Sequence, residues 1–211
     1  MKKSIMAALG IILLSFVIAI YLDSEMPEMM ASHWNAQGEV DGYMPKFWGL
    51  FMMPLISLVI FLLFLLIPKI DPLKKNIQKF RRYYDWFIVL FIAFFFYVYV
   101  LTLLFNLKGM DLDFNFTQMM VPALGILFYY LGILTENAKR NWFIGIRTPW
   151  TLSSDKVWNK THKLGGKLFK IAGVIAFIGL LLPQYSILFV LIPVLVVALY
   201  TVVYSYIEYQ K

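Results

Sequence analysis

The chain of 211 residues contains no cysteine. That excludes a disulfide, a thiolate metal site and a cysteine nucleophile, and it leaves the redox compartment open. Charge is also scarce. Asp, Glu, Lys and Arg make up 15% of the residues, where a soluble domain carries roughly 25%. Only two histidines are present, and zinc sites usually take three or four ligands, so no metal is expected. No Walker-type or G-x-G-x-x-G phosphate loop occurs, and no cofactor is implied. What fills the chain is apolar: 61% hydrophobic residues and a mean hydropathy of +0.74. This composition specifies an integral membrane protein, so the net charge of +7 is read through its distribution rather than as a nucleic-acid signal.

Six apolar runs approach the length of about 20 residues that a membrane-spanning helix needs. They are Ser4–Tyr21, Phe47–Pro68, Tyr84–Leu107, Thr117–Thr135, Leu168–Leu182 and Ser186–Tyr206. They are continuous rather than alternating, which selects helices over a closed barrel. The first run follows Lys2 and Lys3, as in a signal peptide. Yet it is long enough to span, and Asp23-Ser24-Glu25-Met26-Pro27 follows it instead of a small-residue cleavage site, so an uncleaved first span is expected. The fifth is the shortest; Lys167 and Lys170 can snorkel, letting it begin near Leu164. The expectation is an all-α, multi-pass protein of the cell membrane. It forms one domain over residues 1–211, with an outer loop at 23–46 and cytoplasmic loops at 69–83 and 136–167.

Orientation comes from the cations. Placing both termini on one side puts 17 of the 19 Lys and Arg on that side, leaving Lys46 and Lys108 opposite. The positive-inside rule then sets both termini in the cytoplasm. The loop with Asp23, Glu25, Glu28, Glu39 and Asp41 faces outward, as does the one with Asp111 and Asp113. No ionisable side chain falls in the middle of a span, which counts against an ion-coupled transporter or proton relay.

Two stretches carry more than membrane anchoring requires. In the outer loop, His33, Glu39 and Asp41 make a poor metal set, while Asn35, Gly38 and Gly42 supply turn chemistry for a compact cap. On the cytoplasmic side, Asn141–Gly166 holds Trp142, Trp150 and Trp158, which can anchor at the interface, and the cluster Arg147-Thr148-Pro149-Trp150. Ser153 and Ser154 suit the N-cap of a helix beginning near Asp155. On that helix Lys156, Lys160, Lys163 and Lys167 form one stripe, which anionic lipid accounts for. Asn159, Thr161 and His162 lie opposite and have no lipid explanation. Gly165-Gly166 is expected to end or bend the helix before the fifth span. Ser153, Ser154 and Asp155 near His162 leave a hydrolase as a minor alternative to capping.

These two stretches resemble the SdpI family of bacterial membrane immunity proteins. The outer one reads Pro27, His33, Trp34, Asn35, Gly38 and Asp41. The inner one reads Gly145, Arg147, Thr148, Pro149, Trp150, Thr151, Leu152, Val157, Trp158, Thr161, His162, Gly165 and Gly166. The resemblance implies a non-enzymatic role: resistance to a secreted toxic peptide. It also implies a receptor that holds a small cytoplasmic transcriptional repressor at the membrane, with no direct contact to nucleic acid. His33, Trp34, Asn35, Gly38 and Asp41 would then face the toxin. Arg147, Thr148, Pro149, Trp150, Trp158, Asn159, Thr161 and His162 would form a docking motif on the inner side. A small transporter or exporter of a peptide or other substrate is the alternative.

Overall fold

The computed structural model describes residues 2–107 and 115–211; Lys108, Asp111 and Asp113 of the orientation argument lie outside them. The long helices are α1 (Lys2–Tyr21), α2 (Lys46–Ile70), α4 (Arg81–Asn106), α5 (Phe116–Asn137), α7 (Asp155–Ala176) and α8 (Leu188–Gln210), with α3 (Lys74–Lys79) and α6 (Pro149–Ser153) as short pieces between. Among the described residues six helices are long and apolar enough to cross a membrane, the fifth and sixth counting the 3₁₀ turns that join them. Their outward faces carry bare aliphatic side chains such as Leu13, Val17, Val59, Leu62, Val196 and Leu199, as lipid-facing helices require. The chain is a multi-pass membrane protein.

α4 lies at the centre of the N-terminal helices and packs against α1, α2 and α5. Its aromatic side chains bury rings while their hydroxyls reach helix carbonyls, which lipid cannot replace. Tyr84 donates to the Phe64 carbonyl at 2.8 Å and Tyr97 to that of Met119 at 2.9 Å. α5 and α7 make the most extensive contact in the molecule, and glycine is the reason. Gly125 of α5 faces Gly173 of α7, and Gly132 faces Gly166. A Cβ on Gly173 would lie 2.6 Å from the Gly125 carbonyl oxygen, and one on Gly132 2.5 Å from that of Gly166. No other residue permits this approach, the familiar use of small residues between membrane helices.

Gly165 and Gly166 therefore do not end the helix. α7 runs unbroken from Asp155 to Ala176, so the expected inner-leaflet helix and the fifth span are one element. Glycine in a helix costs roughly 1 kcal/mol against alanine, and here close packing on α5, together with Ile146 and Thr201 over Gly165, offsets it.

Helix is not the whole of the fold. The loop at 23–46 contains an antiparallel hairpin, β1 (Met29–Trp34) and β2 (Val40–Pro45). Gly38 closes its turn at φ +85°, where glycine alone is relaxed. Asn35 Oδ1 accepts the backbone N–H groups of Gln37 and Glu39. The hairpin sits on the ends of α2 and α4 and defines a cap end; α3, α6 and both chain termini lie at the other, the termini end.

Candidate functional site

At the termini end the inner motif folds back on itself. Asn141, fully buried, sets the loop: its amide donates to the Lys139 and Ile144 carbonyls, and its Oδ1 accepts from the N–H groups of Phe143 and Ile144. Asp71, buried at the end of α2, accepts from Trp142 N–H at 2.9 Å and Leu73 N–H at 2.6 Å. Arg140 donates to the Leu152 carbonyl and pairs with Asp155, while Arg147 donates to the Trp142 carbonyl.

Gly145 follows at φ +114° with no room for a side chain, because His162 lies directly against it. That contact lets Ile146 N–H donate to His162 Nε2 at 3.0 Å. Nδ1 of the same ring lies 2.8 Å from the Trp158 carbonyl. An acceptor at Nε2 requires Nδ1 to carry the proton, so this geometry fits the neutral ring with both nitrogens in use. Trp158 stacks on His162 with centroids 3.8 Å apart, and its indole N–H donates to the Ala138 carbonyl at 2.9 Å. Thr148 caps α6 in a capping box with Thr151 and meets Ser205 of α8 at 3.0 Å.

Four of the eight inner-motif residues, Thr148, Trp158, Thr161 and His162, are thus buried. Trp158 is 1% exposed and anchors to protein rather than to the membrane interface. Arg147, Pro149 and Asn159 remain exposed and Trp150 is half-buried, its ring packed on Tyr206. The bare aromatic surface nearby belongs to Trp142 and Phe143. Ser154 caps α7 through Val157 N–H as expected, Ser153 donates to the Pro149 carbonyl and Asp155 pairs with Arg140. These groups and His162 each hold backbone or a neighbouring cation rather than one another. Of the lysine stripe, Lys160 bonds Glu208 of α8 at 2.6 Å, and Lys211 binds the same carboxylate. Thr161 is fully buried, its hydroxyl without a partner among the described residues.

At the cap end the geometry is looser. His33 Nδ1 lies 2.5 Å from Asp41 Oδ1, with both side chains well exposed, and Asn35 donates to Glu39. Among the described residues no three His, Asp or Glu side chains gather to hold a metal. Trp34 turns inward and stacks on Phe116 of α5 at 3.7 Å. Asn115 donates to the Gln37 carbonyl and Thr117 to that of Asn35. Asn106 of α4 bonds both the N–H and the carbonyl of Ala31. A cavity of about 310 Å³ lies beneath the strands, between α2, α4 and α5.

Sequence reasoning passed over Asn141, Asp71, Glu208 and Ser205. Two of them carry a signal. Asp71 is the only acid between Asp41 and Asp85, in a stretch rich in lysine, and Glu208 is the only acid after Asp155.

Two family models match the chain. Residues 137–205 match the SdpI/YfhL protein family and residues 10–58 match a domain of unknown function, DUF1648. The inner motif falls within the first stretch and the hairpin within the second. Over 212 residues the chain is 27% identical to the "Immunity protein SdpI" of Bacillus subtilis (strain 168), covering 100% of this chain and 98% of that protein. No solved structure matches it. The resemblance read from the motifs is borne out as a likeness: the inner motif lies in the stretch that matches the SdpI/YfhL family, and the chain is similar along its whole length to an immunity protein.

Proposed function

We propose that this membrane protein confers immunity to a toxic peptide, and that it reports the peptide's arrival across the membrane. The full-length likeness to an immunity protein supports the first part. The cap end meets the peptide, the termini end faces the cytoplasm, and a small repressor docks there. The cation distribution supports that orientation. The exposed residues Arg147, Pro149 and Asn159, with Trp142 and Phe143, supply the docking surface. Buried Thr148, Trp158, Thr161 and His162 hold it in shape.

One observation carries the relay. α5 touches the hairpin through Asn115, Phe116 and Thr117 at one end and is pressed against α7 along its length. The helix that bears Trp158 and His162 is thus tied to the cap by a single intermediary. A peptide shifts such a pair only if it binds two arrangements with different affinity. No step of the function is chemical. The test is survival of a peptide-sensitive cell that expresses the chain, with a single cysteine at Ser153 labelled from inside. Protection with a peptide-dependent change in labelling supports both parts. Protection without the change removes the relay, and no protection removes the immunity reading.

A further inference from the structure

The cavity beneath the hairpin borders the relay contacts at Trp34, Phe116 and Thr117, and the relay gives its interior no occupant. Four methionines line it, Met44 from β2, Met52 and Met53 from α2 and Met120 from α5, and all four are half-buried and so reachable. Methionine is flexible and polarisable, and surfaces built from it adapt to apolar groups of varied shape. Val98 and Thr102 of α4 form the wall between. Trp34 also borders the cavity, and its indole N–H is buried without a partner among the described residues. A buried donor left unmet is costly, so an arriving acceptor is favoured there. Above the cavity the segment 22–46 carries Asp23, Glu25, Glu28, Glu39 and Asp41 against Lys46 alone among Lys and Arg.

We infer that this cavity receives an apolar side chain of a cationic peptide, whose backbone carbonyl meets the Trp34 indole and whose basic flanks meet the carboxylates above. The inference rests on the peptide-recognition reading and names its binding pocket. Charge complementarity brings the peptide in and orients it, while the buried anchor supplies most of the grip. A lipid acyl chain matches the methionines but leaves both the indole and the acidic rim unused.

The test uses the full chain in lipid nanodiscs and a synthetic Lys/Leu peptide carrying one benzophenone side chain. Irradiation followed by mass spectrometry is expected to place the crosslink on Met44, Met52 or Met120. Val98→Trp, which fills the cavity, is expected to lower its yield about tenfold or more, as loss of a buried anchor does. Thr102→Phe serves as a second variant should the first fail to fold, and the same peptide with Glu for Lys is expected to lose the crosslink as well. Crosslinks elsewhere, equal labelling by the Glu peptide or undiminished labelling of both filled variants overturns the inference. So does a photoactivatable acyl-chain lipid that labels the same methionines and is not displaced by the Lys/Leu peptide. The survival assay separates this from the immunity reading. If wild type and Val98→Trp protect equally, the pocket falls and immunity stands. If wild type gives no protection, immunity falls and the crosslink still reports on the pocket.

Discussion

The two ends of the molecule are built on opposite terms. At the termini end, buried polar groups are nearly all paired: Asn141 makes four hydrogen bonds, Asp71 two, and both nitrogens of His162 are committed. At the cap end the contact between His33 and Asp41 is exposed, and a two-stranded hairpin covers a cavity. Isolated hairpins are marginal, so this one depends on Asn106, Asn115 and Thr117 beneath it. A satisfied polar network fixes one shape, whereas an exposed hairpin over soft side chains tolerates several. The contrast assigns adaptability to the cap and definition to the termini end.

The largest effect is expected where that definition meets the helices. Gly166→Val drives a side chain into the Gly132 carbonyl and Glu136. Separation of α5 from α7 is expected to abolish recovery of monodisperse protein in detergent. Size-exclusion chromatography checks this, and a normal profile would refute the tight approach. Next comes Asn141→Ala, which strands several buried backbone groups at once. It is expected to cost about 2–4 kcal/mol, read as a clear fall in melting temperature in detergent. The smallest effect belongs to Asp41→Asn at the cap. An exposed pair contributes roughly 0–1 kcal/mol, so the melting temperature should stay near wild type while protection against a cationic peptide weakens. A cap substitution that destabilises as much as Asn141→Ala would erase the contrast between the ends.

The six spans were legible because a continuous apolar run long enough to cross lipid has few other uses. The cap of α7 was legible too, since Ser154-Asp155 is local chemistry. The hairpin was not. Met29–Trp34 alternates weakly, and Val40–Pro45 holds a glycine, an aspartate and a proline, all poor strand formers. Gly165-Gly166 looked like a helix stop because the reason for it stands on another helix, at Gly132. Trp158 looked like an interfacial anchor because nothing in sequence places the Ala138 carbonyl beside its indole. The inner motif was thus found as a string of residues, while the division into buried frame and exposed face belongs to the folded chain.

The glycines of α5 and α7 also fix how the two helices can move. On each helix the pair is seven residues apart, about 10.5 Å along the axis at 1.5 Å per residue. The helices run antiparallel, so Gly125 meets Gly173 only when Gly132 meets Gly166. Two pins at one spacing admit one axial setting, and a slip by a single turn would set side chains against backbone at both. The pair is therefore locked against piston travel but not against tilting as a unit. In the relay we propose, motion at the hairpin reaches the opposite end as the swing of a lever, its tip the ring of His162.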